Sequence, residues 1–362
     1  MRHVLAFALS CAGLGLAACV SSPTAVDPSA LERSWSPTEL QLADSIRWLI
    51  AHQAEDGSWP NEVAPHNTVA TTSLAVLALT LDREPSRQES NKEPVVAGVK
   101  WLLGQMDKHG FVGPRVGSQY HYNQGLAAYA LSEAYGKSKS FLLRPYAQRA
   151  IRYVLAARNP DKAWRYDMPP NGENDTSVTG WMVLALDAAR RAGLEIDEQA
   201  LAGALTWLDE VTDPATGRCG YDRPGSGSSR VARVNDQFPP ESGEALTAVA
   251  VLCRELCAEG RGPLQAKQLT LLRGRPPLWS GDGLGNDFYY WYFATRALAR
   301  AGDLPAWSAW SRVLETSLAD AQVREREQAG SFDPVDPWGH AGGRVYSTAL
   351  LTLCMHELAA AH

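Results

Sequence analysis

Acids, a histidine and large aromatic rings gather at the starts of the most apolar stretches of this chain. His121, Tyr122, Asn123 and Gln124 open one such stretch, and Glu173, Asp175 and Trp181 another. Glu241 and Glu244 open a third, Asp287, Tyr290 and Trp291 a fourth, and Arg344 and Tyr346 a fifth. Taken singly, an acid at a helix start is a cap, worth about 0.3–1 kcal/mol against the helix dipole. Taken together around one opening, they form a ligand site in which rings and acids converge. Rings with hydrogen-bonding acids suit a sugar or an isoprenoid hydrocarbon, and the single Arg344 gives little hold on a diphosphate. A second concentration lies in "SFDPVDPWGHAGGRVYS", where Asp333, Asp336, Trp338, His340 and Arg344 share a Pro/Gly-rich loop. That loop reads either as functional or as a rigid clasp between the end of the chain and its beginning.

The elements that must hold these residues repeat six times. Each repeat has an amphipathic first helix, a Gly/aromatic turn and an apolar second helix rich in Ala, Gly, Ser and Thr. "LADSIRWLIAHQ", "EDGSWP" and "TTSLAVLALTL" make the first repeat; "WSAWSRVLETSLADAQ", "AGSFDP" and "RVYSTALLTLCMHELAA" make the last. First helices keep one face for water, whereas second helices must be covered on all sides. Six of each, in alternation, predict an all-α, closed α/α toroid: six parallel inner helices inside six antiparallel outer ones. An open solenoid would need polar end caps, and the last apolar segment offers none. The turn aromatics Trp59, Phe111, Trp164, Tyr221, Trp279 and Phe332 are expected to plug the wedges between helix pairs, with polar edges on backbone carbonyls.

Composition limits the partners. The chain has 362 residues, 12 Trp and 12 Tyr against 7 Phe, and a net charge of −6. That charge opposes nucleic-acid binding, which wants a basic face. Residues 1–18 read as an export signal, with Arg2 and His3 before an apolar run. Leu16-Ala17-Ala18-Cys19 matches a bacterial lipoprotein box, so Cys19 is the expected lipidation site. Residues 19–37 form a tether, and residues 38–362 the toroid domain. The expected location is the bacterial cell envelope, lipid-anchored on the periplasmic side of the outer or inner membrane. Cys219, Cys253, Cys257 and Cys354 are read as buried thiols. No zinc-ligand spacing or His-Glu-x-x-His is present, so neither metal nor cofactor is expected. The insertion "GYDRPGSGSSRVARVNDQFPP" in the fourth repeat is either a lid over a mouth or a mobile loop.

Leu49-x-x-x-Gln53-x-x-x-Gly57-x-Trp59 resembles the QW motif of squalene-hopene and related triterpene cyclases. The six-repeat pattern is also similar to protein prenyltransferase β-subunits and to complement-like thioester domains. The likeness runs from about Glu39 to Leu358, and it implies the α/α toroid far more strongly than any activity. Where those cyclases carry Asp-x-Asp-Asp-Thr-Ala, this chain has Gly172-Glu173-Asn174-Asp175-Thr176-Ser177. The place of the central, proton-donating acid is therefore taken by Asn174, whose amide cannot donate that proton, and only Glu173 or Asp175 remains as an acid. Asp287-Phe288-Tyr289-Tyr290 is similar to the zinc-binding Asp-Phe-Tyr-His run of prenyltransferases but has Tyr290 for the histidine. "GRCGYD" lacks the glutamine a thioester needs.

Two functions follow. The first is a binding scaffold for a hydrophobic or glycan-like ligand, or for a protein partner at the rim. The second is an enzyme: a diverged terpenoid cyclase using Glu173 or Asp175 as acid, or a polysaccharide lyase or hydrolase. In the latter, His121 or His340 would pair with Glu241 or Asp287.

Overall fold

The computed structural model describes residues 35–117, 120–240, 243–257 and 262–360. Cys19, the export signal and Glu241 lie outside the described residues. Ser36 opens the fold because its hydroxyl accepts from the backbone of Glu39 while the Glu39 carboxylate accepts from the backbone of Ser36, a reciprocal cap followed by Pro37. From there the chain alternates. The outer helices are α1 (Pro37–Ala51), α3 (Pro85–Gly104), α5 (Arg144–Ala156), α7 (Glu198–Glu210), α9 (Pro263–Arg273) and α11 (Leu304–Ala321). The inner ones are α2 (Thr68–Thr80), α4 (Tyr120–Ser138), α6 (Thr176–Ala192), α8 (Ala245–Leu256), α10 (Phe288–Arg300) and α12 (Gly339–Ala359), the last kinked at Gly343.

Each inner helix packs on the next in chain order, and α12 returns to pack on α2. The inner helices are buried almost throughout, as their Ala-rich surfaces require. Close approach explains the small residues: a Cβ on Gly180 would sit 2.6 Å from a methyl of Val249 on the neighbouring inner helix. The expected closed toroid is the observed one. Among the described residues no helix is long and apolar enough to cross a membrane, and Cys219, Cys253, Cys257 and Cys354 form no disulfide.

The turns show why a tryptophan belongs in a polar loop. Trp59 is fully buried and donates its indole N–H to the Leu49 carbonyl at 2.6 Å, in the last turn of α1, where that oxygen otherwise takes only a shared His52 N–H at 3.2 Å. Its backbone N–H donates to Thr72 Oγ1 on α2 at 3.0 Å. Trp164 does the same, with Val154 O at 2.7 Å and Thr179 Oγ1 at 3.4 Å. Gln53 Nε2 reaches Gly57 O and also Pro94 O on the next outer helix, both at 2.9 Å. Gly57 holds φ +91°, and a Cβ there would lie 2.6 Å from Ala97 O. The seam between the last and first repeats uses the same devices. Gln322 Nε2 donates to Gln41 O at 2.9 Å, Ser45 Oγ donates to Gly330 O at 2.6 Å, and a Cβ on Gly330 would meet Asp44 O at 2.5 Å.

Candidate functional site

Because the inner helices are parallel, their N-termini and the loops before them surround one mouth. A cavity enclosing about 950 Å³, its open mouth included, descends from there. Its wall is phenolic and apolar. Tyr122, Tyr166, Tyr221, Tyr289 and Tyr346 stand with Trp181 and Trp338 over a floor that includes Leu74, Leu126 and Leu246. Asn61, Asn67 and Asn123 supply amides, and Thr71, Ser177, Ser228 and Ser229 supply hydroxyls. Among the described residues no charged side chain lines it.

The acids stand one layer behind. Asp175 is fully buried as the N-cap of α6, where Oδ1 accepts from Val178 N at 2.7 Å. Two hydroxyl chains run from it to the cavity. Ser177 donates to Oδ1 at 3.0 Å and is itself bonded to the Tyr122 hydroxyl. Tyr221 donates to Oδ2 at 3.3 Å, and its hydroxyl is bonded to that of Tyr166. Burial pushes the Asp175 carboxyl up to about 6, against the opposing pull of its Val178 and Ser177 bonds. A second acid, Asp336, is buried behind Tyr346, whose hydroxyl donates to Oδ2 at 3.1 Å; Phe288 N donates to the same oxygen at 3.1 Å. Burial, reinforced by nearby Asp287, pushes Asp336 up to about 7, and its Oδ1 has no hydrogen-bond partner among the described residues.

The insertion of the fourth repeat lies across this mouth. Arg230 sits over the Trp338 ring at 5.6 Å, with Asp287 Oδ2 at 3.9 Å. Asn235 donates to Pro337 O at 3.2 Å, and Phe238 is buried beneath the loop. The segment thus packs against the mouth through Arg230 and Asn235.

The residues singled out from the sequence divide sharply. Tyr122, Asn123, Trp181, Trp338 and Tyr346 meet on the cavity wall. Glu173 does not: it lies in the loop before α6, exposed, with Arg165 at 3.1 Å. Asn174, in the place of the family's central acid, faces the loop, where its Oδ1 accepts from Ala163 N at 3.0 Å and from Asn159 Nδ2 at 3.1 Å. His121 is sealed off with Nδ1 on Arg165 O at 2.7 Å, and burial lowers its pKa. His340 is exposed with Nδ1 on Pro337 O at 2.9 Å, and Asp287 is the N-cap of α10, accepting from Tyr290 N at 2.9 Å. Among the described residues, no histidine–carboxylate pair faces the cavity. Glu244 pairs with Arg218 away from the wall. Tyr290 points outward to Arg275 O at 2.7 Å, and Trp291 is buried in the helix layer. Arg344 is held within its own repeat by Ser331 and Asp333, and its loop meets the first repeat through Asn61 Nδ2, which donates to Ala341 O at 2.8 Å.

Tyr166, Tyr221 and Tyr289 escaped the sequence reading as wall residues. Tyr221 was expected only as a wedge, and Tyr289 sits inside a run valued for its ends. The spacing Trp164-x-Tyr166 was the available signal: with the tryptophan turned inward beneath its helix, the residue two positions on emerges at the mouth. Among the described residues no group of three or more His, Cys, Asp or Glu is placed to hold a metal ion.

No family model matches the chain, and no curated protein matches it in sequence. Solved structures do match in shape. The fold is that of the α/α toroids. An α-1,6-mannanase of a Salegentibacter species, an inactive variant with two consecutive aspartates replaced and mannotetrose bound, aligns with TM-score 0.62 at 11% identity over 90% of this chain and 100% of that one. The type II terpene cyclase MstE of Scytonema aligns with TM-score 0.58 at 14% identity, covering 89% of this chain and 98% of the other. An α-amylase of Clostridium perfringens aligns with TM-score 0.56 at 10% identity over 88% and 97%. At such identities the likeness establishes the architecture and leaves the chemistry to the site itself.

Proposed function

We propose that the phenolic cavity binds an uncharged, largely apolar ligand of prenyl-hydrocarbon character. The observation that carries this reading is the wall: five tyrosines and two tryptophans, and no charged side chain among the described residues. A phosphate or carboxylate would find no cation on the wall, since Arg230 in the lid is committed to Asp287 and the Trp338 ring, while a hydrocarbon chain gains from every ring it covers. The solved structures offer two ligand types. MstE has been captured with geranylgeranyl dihydroxybenzoate, and the mannanase with mannotriose and mannotetrose. Glycoside hydrolysis asks for two carboxyl groups flanking the bond, about 5–10 Å apart. Here both buried acids stand behind tyrosines, and the chain contains no two consecutive aspartates.

Titration of the intrinsic tryptophan fluorescence separates these ligands. Geranylgeraniol is expected to quench Trp181 and Trp338 saturably, and mannotetrose to leave them unchanged. Saturable binding of mannotetrose without geranylgeraniol binding would reverse the reading.

A second reading adds catalysis, and the hydroxyl chains behind it favour it. Asp175 would give its proton through Tyr221 and Tyr166 to a ligand double bond, forming a C–H bond and leaving a carboxylate; the resulting cation would lose a proton from another carbon. The product is an isomer of the substrate, carrying one deuterium when made in heavy water. Mass spectrometry of geranylgeranyl substrates incubated with the chain reads that label, and Asp175→Asn should abolish it. Cys19 lipidation, which we likewise propose, would tie the chain to a membrane, where such ligands partition; mass spectrometry of the mature N-terminus reads it directly.

A further inference from the structure

The C-terminal ends of the inner helices surround a second cavity of about 1110 Å³, its mouth included, and its wall is charged. The charges segregate by half. On the side of α10, α12 and the end of α2, three guanidinium groups (Arg83, Arg296 and Arg300) face one carboxylate, Glu357. On the side of α4, α6 and α8, three carboxylates (Glu133, Asp187 and Glu255) face one guanidinium, Arg191. His356, its pKa lowered by burial, adds no charge at neutral pH.

Most of these groups are already committed. Arg296 and Arg300 hold Glu357 at 3.4 and 3.1 Å. Arg191 bonds Glu133 and lies 2.9 Å from Asp187, which Arg190 also meets at 2.9 Å from behind the wall. One group on each half stands apart. Arg83 acts on Glu357 only through space, with no hydrogen bond or ion pair of its guanidinium among the described residues. Among the described residues, Glu255 is held only by the neutral amide of Gln265. In the ring order α2, α4, α6, α8, α10, α12, the ends of α2 and α8 are three steps apart in either direction. Arg83 and Glu255 therefore stand on opposite sides of the opening.

We infer that this second mouth binds a short peptide with free termini, its carboxylate on Arg83 and its ammonium on Glu255. Opposed charges on facing walls select a ligand carrying both signs at its two ends and reject one carrying either alone. A free amino acid holds its two charged groups on a single carbon and so engages one wall at a time. The site is independent of the phenolic cavity and of what binds there.

Calorimetric titration of the whole chain with triglycine tests the inference. Triglycine should bind, while N-acetyl-triglycine, triglycine amide and glycine should each bind at least ~tenfold more weakly. Arg83→Gln should weaken triglycine but not triglycine amide, and Glu255→Gln should weaken triglycine but not N-acetyl-triglycine. Both side chains lie at the mouth, so unchanged thermal midpoints will certify the fold of each variant. The inference falls if triglycine does not bind at ~10 mM, if a blocked form or glycine binds as well as triglycine, or if either substitution weakens both members of its pair equally.

Discussion

The two mouths of the toroid are built from opposite ends of the same six helices, and their chemistries are opposite. At the N-terminal mouth the acids that open the helices serve as caps: Asp175 and Asp287 each turn one oxygen onto a backbone N–H, and the other meets Tyr221 or Arg230 behind the wall. Rings and hydroxyls are left to face the ligand. At the C-terminal mouth the exposed carbonyls attract guanidinium groups, Arg190 and Arg191 in the last turn of α6 and Arg300 in that of α10, and acids collect around those in turn. One end therefore hides its charge and the other displays it. A helix ring acquires this polarity whenever its inner members are parallel.

Trp59→Ala should erase the comparison, because it loosens the wall that both mouths share. A loss of about 3–5 kcal/mol is expected from emptying so large a buried site, read as a lowered urea midpoint, with both cavities failing together. Loss of one ligand and retention of the other would show that the mouths are separately supported.

The next largest effect is a pH dependence that belongs to the N-terminal mouth. Burial lifts Asp175 from 3.8 in the unfolded chain to about 6. The folded state thus holds the extra proton between those values, and stability must fall as pH rises through that window, by about 3 kcal/mol. Asp175→Asn should flatten the profile between pH 4 and 6. Asp336→Asn should flatten it over a window reaching about 7. Denaturant unfolding at a series of pH values checks both, and an unchanged slope in the Asp175 variant would mean that its carboxyl is solvated.

Arg230→Ala acts on the lid alone. Losing the Trp338 and Asp287 contacts should speed hydrogen exchange of residues 228–238 by about tenfold, without altering peptide binding at the far mouth. The smallest effect is expected at Lys162→Ala. Its pair with Glu210 is 2.8 Å long but nearly half exposed on both sides, so stability should move by less than about 0.5 kcal/mol and both ligands should bind as before.

How much of this could be read beforehand depended on whether a residue's role was local. Trp59 and Gly57 announce a helix stop whose geometry repeats, so the toroid and its wedges were readable from periodicity. The choice between Glu173 and Asp175 was not, because one turn of loop decides which carboxyl enters the helix and which meets Arg165. Tyr221 was expected in a wedge, but that place belongs to Cys219, whose backbone N–H donates to Thr247 Oγ1 as that of Trp59 does to Thr72; the Tyr221 ring lines the cavity and its hydroxyl reaches Asp175 across the repeat boundary, a contact no spacing encodes. Arg83 and Glu255 were invisible for the same reason. They lie 172 positions apart in the numbering and become neighbours across an opening only when the ring closes.

That closure has a cost in time. The hydroxyl of Ser45 must wait for the Gly330 carbonyl, and the Gln41 carbonyl for the Gln322 amide, so the first helix made gains its seam bonds last. A nascent chain carries an unfinished edge until its final repeat arrives, and a stop codon anywhere before α12 would release a ribbon with two raw ends instead of a smaller wheel.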